Sequence, residues 1–196
     1  MKKIFALIAA LAMVLAFMGV ANAQSQPKNI RCDSTVTGGT YKNVTVRSGD
    51  SCTLSGVTVT GNVHGMKGSV DISILDGTVA HNVQVNGSTG TVRIGNKTGC
   101  KYDPPVGNNV HVTNSHNVVI CYVNADNNIM VTRNDGRVTV RDSSAGNNLS
   151  VSRQLPYVSD GNDNDHRHPE YVRILDNTWG NHLFHSNPQR PRTIVR

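Results

Sequence analysis

Apolar residues alternate with polar ones in short bursts along this chain, and the bursts recur in step with asparagines. Val44/Val46, Val83/Val85, Val110/Val112, Ile129/Val131 and Leu149/Val151 stand one and three positions after Asn43, Asn82, Asn109, Asn128 and Asn148, and Val63/Gly65 follow Asn62 in the same way. The asparagines are spaced 19, 20, 27, 19 and 20 residues apart. Each burst is the signature of one strand with a single buried face. A second alternating pair precedes the next asparagine: Cys52/Leu54, Ile72/Ile74, Val118/Ile120 and Val138/Val140, joined by Val92/Ile94 and Val172/Ile174. A third apolar position falls three residues before the asparagine, at Val59, Val79, Val106, Ala125, Ala145 and Trp179, with His182 standing in the last asparagine position.

Strands this short bury nothing alone, so a chain that returns to the same column every ~20 residues must stack its turns and pair each strand with its equivalents above and below. The pattern predicts an all-β fold, a single-stranded right-handed parallel β-helix of about seven coils with three short strands per coil. The asparagines at 43, 62, 82, 109, 128 and 148 then form a structural ladder, each side-chain amide bonded to its copy on the next coil and to turn backbone.

Outside the repeat, Lys2 and Lys3, an apolar run from Ile4 to Val20 and Ala21-Asn22-Ala23 make residues 1–23 a secretory signal peptide, with a retained membrane anchor as the competing reading. No later stretch is apolar enough to span a bilayer, so the expected location is exported, periplasmic or extracellular. The β-helix domain is expected over 24–185, with insertions near 96–105 and 155–169, and 186–196 reads as a basic, unstructured tail. Removing Lys2 and Lys3 lowers the formal charge from +6 to +4, a mild positive balance that serves solubility and also favours acidic partners. Neither an ice-binding array nor a nucleic-acid surface is expected. Thr58/Thr60 gives way to Thr78/Ala80, Asn124/Asp126 and Ser144/Gly146, and no basic stripe interleaved with aromatics appears.

With its asparagine ladder and 20-residue period, the chain resembles the right-handed parallel β-helix proteins of the pectate-lyase-like superfamily, and among them small secreted members without an assigned activity. The resemblance implies a scaffold known for acting on acidic polysaccharides. The motifs of the hydrolase branch are Asn-Thr-Asp, Asp-Asp, Gly-His-Gly and Arg-Ile-Lys. They meet here only Asn177-Thr178-Trp179, Val63-His64-Gly65 and Arg93-Ile94-Gly95, each without the reactive residue. The lyase branch implies clustered carboxylates for calcium, and no such cluster stands on neighbouring coils of one strand.

The four cysteines suit an exported protein. Cys32 and Cys52 are one coil apart and should form one disulfide, and Cys100 and Cys121 share a corner on successive coils and should form the other. Arg93, Arg141 and Arg173 face outward along the second strand and, edged by Tyr102, Tyr122 and Tyr157, define a candidate groove for an acidic glycan. Solvated arginines between tolerated loops are the plainer reading. Asp160, Asp163, Asp165, His166 and His168 in the second insertion offer a calcium or other metal site only loosely, since the loop lacks the turn glycine and terminal glutamate of a calcium loop. No cofactor is otherwise expected. Asp76, Asp142 and Asp176 begin turns, and His64 and His111 face outward with no nucleophile beside them. The sequence thus points to an exported structural or binding solenoid, its partner an acidic polysaccharide or a cell-envelope component. The alternative is a small polysaccharide lyase or glycoside hydrolase with Arg93 or Arg173 as base or substrate clamp.

Overall fold

A computed structural model describes residues 26–95, 105–152, 172–175, 177–186 and 193–195. Among these the regular structure is all β, strand pairs with strand in parallel, and the chain winds as a right-handed parallel β-helix. Three sheets run along the rod. The first stacks Lys28–Arg31, the end of Thr40–Val46, Val63–Gly65, Val83–Asn86, Val110–Thr113, Asn128–Thr132, Asn148–Ser152 and His182–Ser186. At ~4.8 Å per coil this sheet is about 34 Å long.

The register follows the repeat. In the first sheet Val44, Val63, Val83, Val110, Ile129 and Leu149 pair in succession. The second sheet stacks Cys52, Ile72, Val92, Val118, Val138 and Val172, and the third stacks Val59, Val79, Val106, Ala125, Ala145 and Trp179. The inward columns of the three sheets meet in one core, whose central valines and isoleucines are essentially inaccessible. Gly65 interrupts the first column because Ile72 from the second sheet fills the space that a Cβ there would take. The third column ends in aromatics: Tyr41 packs on the core at one end, and Trp179 at the other is 38% exposed. No strand of the third sheet among the described residues stacks beyond Trp179.

The asparagine ladder is continuous. Side-chain amides donate to the Oδ1 of the preceding coil from Asn82 to Asn62 (2.9 Å), Asn109 to Asn82 (3.1 Å), Asn128 to Asn109 (2.8 Å) and Asn148 to Asn128 (2.8 Å). The step from Asn62 to Asn43 is looser at 3.5 Å, and the ladder extends one rung further, from Asn43 to Asn29 at 2.9 Å. The same Oδ1 atoms of Asn43, Asn62 and Asn82 also accept the backbone N–H of the next asparagine. A second ladder runs beside the first, Asn127 donating to Asn108 (3.2 Å), Asn147 to Asn127, and Asn181 to Asn147 (3.0 Å). Two adjacent amide stacks satisfy the corner that enters the first sheet.

The tail corrects the sequence reading. Thr193–Val195 is a strand, pairing in parallel with Val172–Leu175 so that Val172 meets Thr193 and Ile174 meets Val195. Three β-branched residues suit a strand, and the last turn of the second sheet offers them an open edge. The Cys32–Cys52 disulfide forms as expected, with its Cα atoms 5.4 Å apart. Cys121 is also disulfide-bonded, while its expected partner Cys100 lies outside the described residues.

Candidate functional site

The outward residues of the second sheet were expected to carry a groove. Arg93 pairs in register with Ser73 and Val119, and Thr139 pairs with Arg173, so Arg93 and Arg173 occupy one outward column three coils apart, about 14 Å. Arg141 sits one outward position along, in register with Cys121 and Leu175, and its Nε donates to Asp142 Oδ2 at 3.1 Å. Arg137 adds a fourth cation at the other edge, its backbone N–H held by Asn117 Oδ1 at 2.9 Å. Tyr122 lies at the corner that follows, beside Asp142, with its backbone in the left-handed region. The face is therefore a cationic strip along the rod rather than a closed pocket. Tyr102 and Tyr157 lie outside the described residues, as do the metal candidates Asp160, Asp163, Asp165, His166 and His168. Among the described residues no three His, Cys, Asp or Glu side chains come together to hold a metal.

The aspartates at the second corner do what turns need. Asp76 and Asp142 adopt φ of 52° and 48°, in line with Tyr122 at 54°. Asp and Asn tolerate this left-handed conformation better than other residues with a Cβ. Asp176 is outside the described residues. Beneath this corner a buried polar stack ties coil to coil: Val123 N–H donates to Ser143 Oγ (3.1 Å), and Ser143 N–H to Asn177 Oδ1 (2.9 Å).

The first corner, between the first and second sheets, repeats that construction with more chemistry on it. Three successive coils place a left-handed residue, a buried polar residue and a residue open to solvent in line, Gly87-Ser88-Thr89, Asn114-Ser115-His116 and Arg133-Asn134-Asp135, with His116 half-buried and Thr89 and Asp135 exposed. The buried members lock the coils together, Ser88 N–H donating to Ser115 Oγ (3.2 Å) and Ser115 N–H to Asn134 Oδ1 (2.9 Å). The members open to solvent are aligned by backbone bonds from Thr89 to Ser69, His116 to Ser88 and Asp135 to Ser115. His116 Nδ1 then lies 2.9 Å from Asp135 Oδ1. The pair borders an open cleft of about 650 Å³ that also exposes Lys67, Asn86, Thr89 and Asn114. Periodicity shows the columns of this cleft but not the pairing, which depends on how each corner loop turns. The sequence signal is the stacking of His116 and Asp135, 19 residues apart.

His64 and His111 stand on the outward column of the first sheet, on either side of Gln84. Burial holds the imidazole of His111 below its ordinary value of 6.5. The unfolded chain therefore takes up this proton first, so the contribution of His111 to stability is complete above pH 6.5 and is lost as pH falls below it. In a pH series of thermal unfolding, His111→Gln should lose less stability than the parent between about pH 6.5 and 5; parallel curves would contradict this assignment. At the N-terminal end, Arg31 forks onto both oxygens of Asp50 at 2.8 and 2.7 Å. The hydrogen bond from that guanidinium holds the Asp50 carboxyl below its ordinary range.

Comparison with family models, with curated proteins and with solved structures returns no match for this chain.

Proposed function

We propose that the protein is an exported recognition solenoid that binds an acidic polysaccharide or an acidic cell-envelope polymer along its second sheet, as the resemblance to the pectate-lyase-like β-helices implies. The observation that carries this reading is the arginine strip. Arg93, Arg137 and Arg141 stand on one outward face and Arg173 takes the register position beyond Thr139; the carboxylates at this face among the described residues are Asp71 and Asp142, the latter bonded to Arg141. Cations about 8–14 Å apart along a rigid rod suit a polymer that repeats its carboxylates better than a single small anion. The Cys32–Cys52 disulfide fits an oxidising, extracytoplasmic setting, and among the described residues no helix is long and apolar enough to cross a membrane.

The test is titration calorimetry with oligouronides and with neutral oligosaccharides of the same length. Binding should be confined to the acidic ligand and should weaken as salt rises. In Arg93→Ala/Arg173→Ala it should fall by about tenfold or more, since each charge-assisted contact is worth roughly 1.5–3 kcal/mol. Equal affinity for neutral sugars, or full affinity in the double variant, would remove the second sheet as the binding face.

A further inference from the structure

We propose that the first corner is a catalytic site, in which His116, oriented by Asp135, acts as general base in the hydrolysis of a carboxylic ester carried on a polyol. It is independent of polymer binding on the second sheet. Asp135 Oδ1 at 2.9 Å from Nδ1 keeps the proton on that nitrogen, so Nε2 carries the lone pair. Ser88, Ser115 and Asn134 lie buried directly before Thr89, His116 and Asp135, and their bonds across the coils fix the turn backbone that presents the pair. Asn114 and Arg133 hold φ of 50° and 56° two residues ahead of His116 and Asp135. The same left-handed turn, made by Gly87 on the coil before, sets the direction in which each coil presents the residue two positions on.

The groups at hand select the reaction. Glycoside cleavage uses two carboxyl groups, and the cleft has one, already bonded to the imidazole. Thr89 donates its hydroxyl to Ser69 O at 3.3 Å, which leaves water as the nucleophile. His116 Nε2 takes a proton from that water as its oxygen bonds to the ester carbonyl carbon. The carbonyl electron pair moves onto oxygen, where the Lys67 ammonium and the Asn86 amide can meet the charge. Collapse breaks the acyl–oxygen bond, and the leaving alcohol takes the proton back from Nε2, giving acid and alcohol. The amide and hydroxyl groups around the cleft suit the remaining hydroxyls of a sugar or similar polyol.

The experiment is acetate release from glucose pentaacetate by the purified exported protein. The parent should turn over. His116→Gln should lose on the order of 100-fold in kcat, and added imidazole should restore part of the rate to His116→Ala. Asp135→Asn should lower kcat by about tenfold or more with KM unchanged, as expected of a positioning residue, and His64→Gln should match the parent. Release no faster than in buffer, or turnover that survives in His116→Gln, would overturn the assignment.

Discussion

Asn109→Ala should destabilise the protein by about 3 kcal/mol, a drop in melting temperature of about 6–12 °C. The Asn109 side chain donates to Asn82 Oδ1 and Asn108 Oδ1 and accepts from Asn128 Nδ2. Alanine removes all three bonds at once. Asn108 Oδ1 retains the amide of Asn127, and Asn82 Oδ1 retains the backbone N–H of residue 109. The amide of Asn128, in contrast, loses the partner it has on the preceding coil. An orphaned, part-buried donor costs about 1–3 kcal/mol, and each lost bond about 1 kcal/mol. Thermal unfolding checks this. A loss under 1 kcal/mol would mean that water replaces the amide and that the ladder is decorative.

Ile120→Ala should cost about 4 kcal/mol, or about 8–16 °C. Ile120 is inaccessible and stands in register between Ile94 and Val140, so its side chain is covered from both neighbouring coils. In a stacked solenoid the strands above and below are fixed by their own pairings and cannot close on the void. The cavity term therefore adds to the lost burial. The same replacement at Leu183, which is only partly buried against the core, should cost about 1–2 kcal/mol, because less apolar surface returns to water there. Equal effects at the two positions would contradict the burial gradient from the middle of the rod to its end.

Much of this fold is legible in the sequence because a solenoid turns sequence separation into contact. Residues 19 or 20 apart touch, so the columns led by Val44, Cys52 and Val59, the main ladder and the Cys32–Cys52 bridge all follow from counting. Counting fails where the coil length changes. Asn29 is only 14 residues before Asn43, so the first rung escapes a 20-residue ruler. The second ladder was visible as the doubled asparagines at 108/109, 127/128 and 147/148, but a doubled residue has two periods in phase and only one draws attention. Thr193–Val195 lies beyond a stretch with two prolines, and its alternation is too short to stand out. The first corner was hardest to read. Its loops differ by a residue from coil to coil, and left-handed turns at Gly87, Asn114 and Arg133 decide which side chains meet. Arg93, Arg141 and Arg173, by contrast, lie within regular strands, and alternation alone places them at outward positions.

The central claim is that equivalent residues of successive coils are in contact, including across the 27-residue step that contains the first insertion. A double-mutant cycle on Asn82 and Asn109 tests it most directly. These residues share a side-chain bond of 3.1 Å and a backbone bond of 3.2 Å to the same Oδ1. The two alanine replacements should be non-additive by about 1 kcal/mol or more. Additive effects would show that the coils on either side of the insertion are not stacked in this register.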